Sequence, residues 1–300
     1  MSETSTAPSL LPLPDLNQRH LQLETVRPAA WRALDAFVPA PDSPYACKDP
    51  AAPALVLVPG LGMDGLGFIR QLPLGSLAHL HFFQTPNEEA AGEEALGHFA
   101  RHVEEYIFAQ RLDKHPGGLI LGGCSMGGAV SLAVAIRGRV PLHGLILIGT
   151  FGNAAHLPFW QRLAAPLSWY LPPRTMRRFA KQVVARTSYF GTVNAEEADW
   201  LVSCKLDRTR HYFGRAVLAL TRQNQIEAAR KLSLPTLVLH GTCDNVLPYK
   251  AGQELASAIP GARLVTIEQC GHALFFTHHQ VVNDAIAEFI RTQRQASGPS

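Results

Sequence analysis

Four short apolar runs constrain this chain more than any other feature: ALVLVPG at residues 54–60, GGLILGG at 117–123, GLILIGT at 144–150 and PTLVLHGT at 235–242. A strand with one face in water alternates apolar and polar residues. These runs are apolar throughout, so both of their faces must be covered. The segments between and after them have a different period. EEALGHFARHVEEYIFAQRL (93–112), GGAVSLAVAIRG (127–138), YKAGQELASAI (249–259) and VVNDAIAEFIRTQ (281–293) place apolar residues at helical spacing. A further run, ARLVTIEQC at 262–270, reads as the last strand. Strand alternating with helix predicts an α/β fold: a mostly parallel central sheet covered by helices on both faces.

Other stretches set the organisation around that core. LQLETV (21–26) and RALDAFV (32–38) alternate as strands do and are expected to form an antiparallel opening pair. Residues 1–20 are rich in Ser, Pro and Ala and read as a loosely ordered N-terminal segment. The rhythm breaks between about 151 and 223, where aromatics and helical spacing continue without a buried-strand run. The expected organisation is a core of 21–151 and 223–300, interrupted by a helical insertion at 152–222.

Composition excludes several functions. A hydrophobic share of 47% over 300 residues supports a sizeable core and argues against global disorder. The net charge of +3, with no basic arm or basic–aromatic repeat, gives no ground for nucleic-acid binding. LLPLP near the N-terminus is too short and too broken by proline for a signal peptide, and no apolar stretch is long enough to span a bilayer. A cytoplasmic protein is expected. The cysteines at 47, 124, 204, 243 and 270 form no CxxC pair and no Cys/His ligand spacing, so neither a disulfide framework nor a metal site is expected.

The chemistry centres on GLILGGCSMGGAVSL at 118–132. Gly123-Cys124-Ser125-Met126-Gly127 fits G-x-S-x-G, with a strand before it and a helix after it. In such a turn the residues two before and two after the serine must be small, because any side chain would meet neighbouring backbone. A serine hydroxyl is a weak nucleophile and needs a base, which in turn needs an orienting acid. In this architecture the partners follow in the order Ser, acid, His, each just past a strand end. Asp244 follows the 235–242 run and His272 follows the 262–270 run. The loop after 144–150 carries no carboxylate, Glu268 and His240 fall within or at the end of strands, and His278 and His279 come after the His272 turn. Two backbone N–H groups are expected to bind an oxyanion: Met126, next after the serine, and Leu61, in the PGLGMDG loop after the first buried strand.

Taken together these residues resemble the α/β-hydrolase superfamily from about 21 to 294, with the insertion where that family carries its lid. GCSMGGA is similar to the nucleophile elbow of lid-bearing esterases and of carbon–carbon bond hydrolases. GHALFFTHH is similar to the histidine loop of pimeloyl-carrier-protein methyl ester esterases and related carboxylesterases. The chain departs from the family at Pro59-Gly60, where His-Gly is usual, and lacks an Asp-x-x-Gly-x-Gly-x-Ser segment after the next strand. A serine in place of an aspartate as nucleophile disfavours the dehalogenase and epoxide hydrolase branches.

The resemblance implies a serine hydrolase of carboxylic esters that needs no cofactor and no metal. Its partner is a small-molecule ester. Residues 152–234 carry 13 basic against 5 acidic residues, a charge of +8 that suits an anionic or carrier-bound substrate and equally suits a solvated helix face. The insertion's Phe159, Trp160, Trp169, Tyr170, Phe179, Tyr189 and Phe190 either line an acyl pocket or form its own core. Cys124, Cys243 and Cys270 flank the three candidate residues and read as small apolar fillers, or as a thiol-sensitive trio. Carbon–carbon bond hydrolysis, acyl transfer and a non-catalytic ligand-binding role remain open alternatives. Oligomeric state is not encoded in any of these features.

Overall fold

The apolar runs form strands buried on both faces. The computed structural model describes residues 36–85, 95–157, 216–217 and 219–296. Seven strands lie in one sheet: β1 (Ala36–Phe37), β2 (Ala54–Val58), β3 (His79–Phe83), β4 (Leu119–Cys124), β5 (Gly144–Ile148), β6 (Thr236–Gly241) and β7 (Arg263–Ile267). Their order is β1-β3-β2-β4-β5-β6-β7, and every pair is parallel except β1–β3. All residues of β2, β4, β5 and β6 are buried.

Alternate residues of each strand feed opposite cores. Leu55, Leu57, Ile120, Ile146 and Ile148 pack with a 3-10 segment (Gly65–Ser76) and with the late C-terminal helices. Val56, Val58 and Leu121 pack on the other face, with the helices that follow β3 and β4. Each such Leu, Ile or Val side chain contributes about 1.5–3 kcal/mol by leaving water. Among the described residues, the α-helices with defined bounds are α1 (Ala95–Ala109), α2 (Met126–Arg137), α3 (Ile226–Ala229), α4 (Tyr249–Ala258), α5 (Leu274–Thr277) and α6 (His279–Ala296). Helix α2 stops at Gly138, whose φ of 62° lets its N–H reach the carbonyls of Val134 and Ala135.

Two features differ from the sequence reading. Strand β3 is built from HLHFF, where histidines interrupt the apolar run. His79 and His81 are half-buried and satisfied locally: His79 Nε2–H donates to Asp49 O (3.0 Å), and His81 Nδ1 bonds the Tyr106 hydroxyl (2.8 Å). The strand within 32–38 is Ala36–Phe37, and its antiparallel partner is β3. The 21–26 run expected to pair with it lies outside the described residues. So does 158–215, which holds most of the expected insertion. The two ends of that insertion are held together. Asn153 and Asn224 form an antiparallel bridge, Ala154 N–H donates to Gln223 O (2.9 Å), and Gln225 N–H donates to Gly152 O (2.7 Å). The chain therefore leaves and rejoins the core at one point, just past β5.

The topology marks where a ligand belongs. From β2 the chain turns to β3 on one side, then returns to β4 on the other, so the connection reverses between β2 and β4. In open α/β sheets that reversal opens a crevice beyond the carboxyl ends of the strands. Ser125 follows β4 and Leu61 follows β2. No helix among the described residues is long and apolar enough to cross a membrane.

Helices α1 and α2 are clamped by a bidentate pair. Arg137 donates from Nε (2.6 Å) and Nη2 (3.2 Å) to Glu104, whose side chain is 4% exposed. Arg137→Met removes both of these bonds and leaves Arg139 at 3.8 Å. The expected loss is about 1–3 kcal/mol, read as a lower urea midpoint at unchanged m-value.

Candidate active site

Ser125 sits on the turn from β4 into α2 with φ 53° and ψ −120°, a conformation that costs a non-glycine residue of order 1–3 kcal/mol. Its backbone is over-determined by its neighbours. The Ser125 N–H donates to Ile148 O (2.9 Å). Its carbonyl accepts from Gly128 N–H (3.1 Å), Ala129 N–H (3.2 Å) and the Thr150 hydroxyl (2.6 Å). The surrounding glycines make the turn possible. A Cβ on Gly123 would stand 2.5 Å from the Gly127 carbonyl carbon, and one on Gly127 would meet the Val58 and Pro59 carbonyl oxygens. At these two positions side chains are excluded by backbone.

The β2 loop lies against this turn. A Cβ on Gly60 would be 3.4 Å from Ser125 Cβ, which brings the next residue, Leu61, beside the serine. Among the described residues, neither Leu61 N–H nor Met126 N–H donates to a protein acceptor. Met126 is the first residue of α2, where N–H groups lack intrahelical partners and the helix dipole favours negative charge.

Asp244 and His272 come from adjacent loops and meet: His272 Nδ1–H donates to Asp244 Oδ2 at 2.7 Å. That bond leaves Nε2 with the lone pair, the form a general base needs. The Asp244 side chain is fully buried and that of His272 is 14% exposed. The other carboxylate oxygen, Oδ1, accepts from Val246 N–H and Leu247 N–H, both at 2.8 Å. Burial alone would raise the Asp244 pKa. The charge of His272, the hydrogen bonds of His240 and His272, and the Leu247 N–H outweigh it and hold the carboxyl well below the usual carboxylate range. The two loops are also laced by backbone. Thr242 N–H donates to Ile267 O (3.0 Å), Cys243 N–H to Cys270 O (2.9 Å), and Gln269 N–H to the Thr242 hydroxyl (3.0 Å).

The end of β5 links the serine to the histidine. Ile148 and Thr150 bond Ser125, while a Cβ on Gly149 between them would stand 3.7 Å from His272 Nδ1. No hydrogen bond joins the Ser125 hydroxyl to His272 among the described residues. Such bonds commonly tighten only when substrate is bound.

Several contributors were not visible as a sequence pattern. Thr150 holds the Ser125 backbone, and His240 with the N–H groups of Val246 and Leu247 surrounds the Asp244 carboxylate. The one available clue was that His240 stands four residues before Asp244. The buried cysteines are packing groups: burial pushes the Cys124 thiol up to about 12 and the Cys270 thiol up to about 11, so both stay protonated at neutral pH.

The sequence profile of the Alpha/beta hydrolase family matches residues 55–285, most of the chain, from within β2 to beyond β7. The chain belongs to that family. A pimeloyl-[acyl-carrier protein] methyl ester esterase of Aromatoleum aromaticum is 29% identical over 200 residues, covering 60% of this chain and 77% of the relative. A 2-hydroxymuconate semialdehyde hydrolase of a Pseudomonas species is 28% identical over 177 residues, 57% of this chain and 61% of the other. Among solved structures, a thermophilic esterase from Thermogutta terrifontis superposes with a TM-score of 0.71 at 21% identity, over 81% of this chain and 91% of that one. Membership of the alpha/beta hydrolase family, together with these relatives, supports a hydrolytic activity.

Two outcomes test this geometry. Gly127→Ala drives a methyl into backbone and is expected to cost about 3 kcal/mol or to prevent folding. Gly138→Ala, where a Cβ meets nothing within 4 Å, costs only the roughly 1–2 kcal/mol of left-handed backbone. Thermal unfolding separates the two. For Asp244 the sign follows from its lowered pKa. Its stabilising contribution is present above the ordinary value of 3.8 and is lost as pH falls toward the folded-state value. Wild-type stability should therefore fall below about pH 4 more steeply than that of Asp244→Asn, as read by chemical denaturation at each pH.

Proposed function

We propose that this chain is a serine hydrolase of carboxylic esters, with Ser125 as nucleophile, His272 as general base and acid, and Asp244 as the acid that orients the imidazole. The observation that carries this reading is the strained Ser125 backbone, bonded on both sides. Natural folds retain strain of that kind chiefly at functional sites. Ser125 Oγ attacks the ester carbonyl as its proton passes to His272 Nε2. The tetrahedral oxyanion accepts hydrogen bonds from Met126 and Leu61 N–H. Collapse expels the alcohol, which takes the proton from His272 and leaves an acyl-serine. Water then attacks that ester by the same route and releases the acid. No step calls on a cofactor or a metal.

Residues 152–222 act in this reading as a helical lid over the site. Support comes from the paired strands of chain at 152–154 and 223–225 just past β5, and from the lid-bearing family. The +8 charge of residues 152–234 favours an anionic or carrier-bound ester, consistent with the carrier-protein esterase among the relatives. The second reading, hydrolysis of a carbon–carbon bond beside a carbonyl, rests on the semialdehyde hydrolase relative and uses the same three residues.

Steady-state hydrolysis of short p-nitrophenyl esters tests the proposal. Ser125→Ala and His272→Ala are each expected to lower kcat by about 10⁴-fold or more with the fold intact, and Asp244→Asn by a similar order, because the imidazole loses its correct tautomer. Equal rates in wild type and Ser125→Ala would contradict it. Turnover of a 2-hydroxy-6-oxo-dienoic acid with no ester turnover would select the second reading.

A further inference from the structure

One buried imidazole at the site has no part in the steps above. His240, near the end of β6, is wholly buried. Its Nε2–H donates to Leu247 O at 3.0 Å, and the same nitrogen stands 3.4 Å from Asp244 Oδ2. A carbonyl oxygen cannot donate, so the hydrogen is on Nε2, aimed between the two oxygens. The ring is confined on its other side. A Cβ on Gly252 of α4 would stand 2.6 Å from Nδ1, and the Tyr249 ring lies edge-on at 6.1 Å. Nδ1 has no hydrogen-bond partner among the described residues. An unpartnered buried lone pair is unfavourable, and a leucine or phenylalanine in this strand would avoid it. What the imidazole supplies in return is the Nε2–H.

We infer that His240 is a positioning residue for the acid of the site, fixing the 244–247 turn and drawing charge from the Asp244 oxygen that faces His272. The inference rests on the proposed roles of Asp244 and His272. Leu247 is the pivot. Its N–H donates to Asp244 Oδ1 (2.8 Å) while its carbonyl accepts from His240. Without the His240 bond that peptide is free to turn, and Asp244 loses part of what aims its carboxylate at His272. Oδ2 would also keep only one imidazole, His272 at 2.7 Å, where it now faces two. A carboxylate with fewer donors holds more negative charge and stabilises an imidazolium more strongly. The titratable groups gathered around it are His240, His272, Cys243 and Cys270, with Tyr249 beyond the His240 ring.

The test compares His240→Leu, which removes the donor at similar volume, with His240→Gln, whose amide nitrogen reaches nearly as far as Nε2. Kinetics use the p-nitrophenyl ester. The leucine variant is expected to lower kcat by roughly tenfold to a hundredfold, by analogy with the loss of a hydrogen-bond partner behind a metal-bound histidine. KM should stay unchanged and the acid limb of the kcat–pH profile should move to higher pH. The glutamine variant should recover most of both. Equal behaviour of the two variants, or an unchanged profile in a folded leucine variant, would overturn the inference by reducing His240 to a core filler. If the leucine variant does not fold, imidazole-15N labelling of otherwise wild-type protein decides. A slowly exchanging Nε2–H resonance of His240 should shift in Asp244→Asn, and a fixed resonance would overturn the inference. The resonance is read without turnover. An enzyme inactive on every ester would therefore count against the ester reading while leaving the His240–Asp244 link measurable.

Discussion

The rest of the site depends on how closely two pieces of backbone approach where β4 turns into α2. Gly127 rests on the carbonyls of Val58 and Pro59, and Gly123 rests on Gly127 itself. This contact brings the loop after β2 against the turn and forces the residue between the glycines, Ser125, to a φ of 53°. The strain persists because four hydrogen bonds hold the Ser125 peptide groups, one of them from the Thr150 side chain. The same approach sets Gly60, the residue before Leu61, against the serine, which itself caps the start of α2. In the proposed reading, the nucleophile and its oxyanion site both depend on this one packing constraint.

The Asp244–His272 pair is built differently, by polar groups rather than by contact. Asp244 is buried, which alone would raise its pKa, yet donors occupy both of its oxygens and hold the carboxyl well below the usual carboxylate range. A carboxylate so satisfied cannot wander. The histidine bonded to it is fixed in tautomer and direction, and the backbone bonds between the 242–243 and 267–270 segments tie the two loops together. Electrostatic preorganisation of this kind is set before substrate arrives and costs no reorganisation during reaction.

Much of this was legible in the sequence, for reasons that differ by residue. The strands β2, β4, β5 and β6 were readable because a strand covered on both faces has no polar residue to spare. Ser125, Asp244 and His272 each follow a strand end, so strand reading and turn chemistry located them together. Strand β3 was missed because His79 and His81 look like surface residues, although the Tyr106 hydroxyl and Asp49 carbonyl satisfy them. Leu61 is proposed from its place in the chain alone, because a backbone N–H donor leaves no trace in residue type. His240 was passed over as an ordinary strand residue. Only the fold shows that the turn after β6 curls Leu247 and Asp244 back onto it. The insertion was read from an absence of strand runs, and its residues 158–215 lie outside those described.

The central claim is that the glycine-bounded turn exposes one activated serine. Intact-mass analysis after treatment with a fluorophosphonate tests it most directly, on wild type and on Ser125→Ala in parallel. One phosphonyl adduct is expected on the folded wild type, mapped to Ser125, and none on the variant. A folded wild-type protein that takes no adduct, or a variant that labels equally well, would contradict it and leave the turn as a packing device.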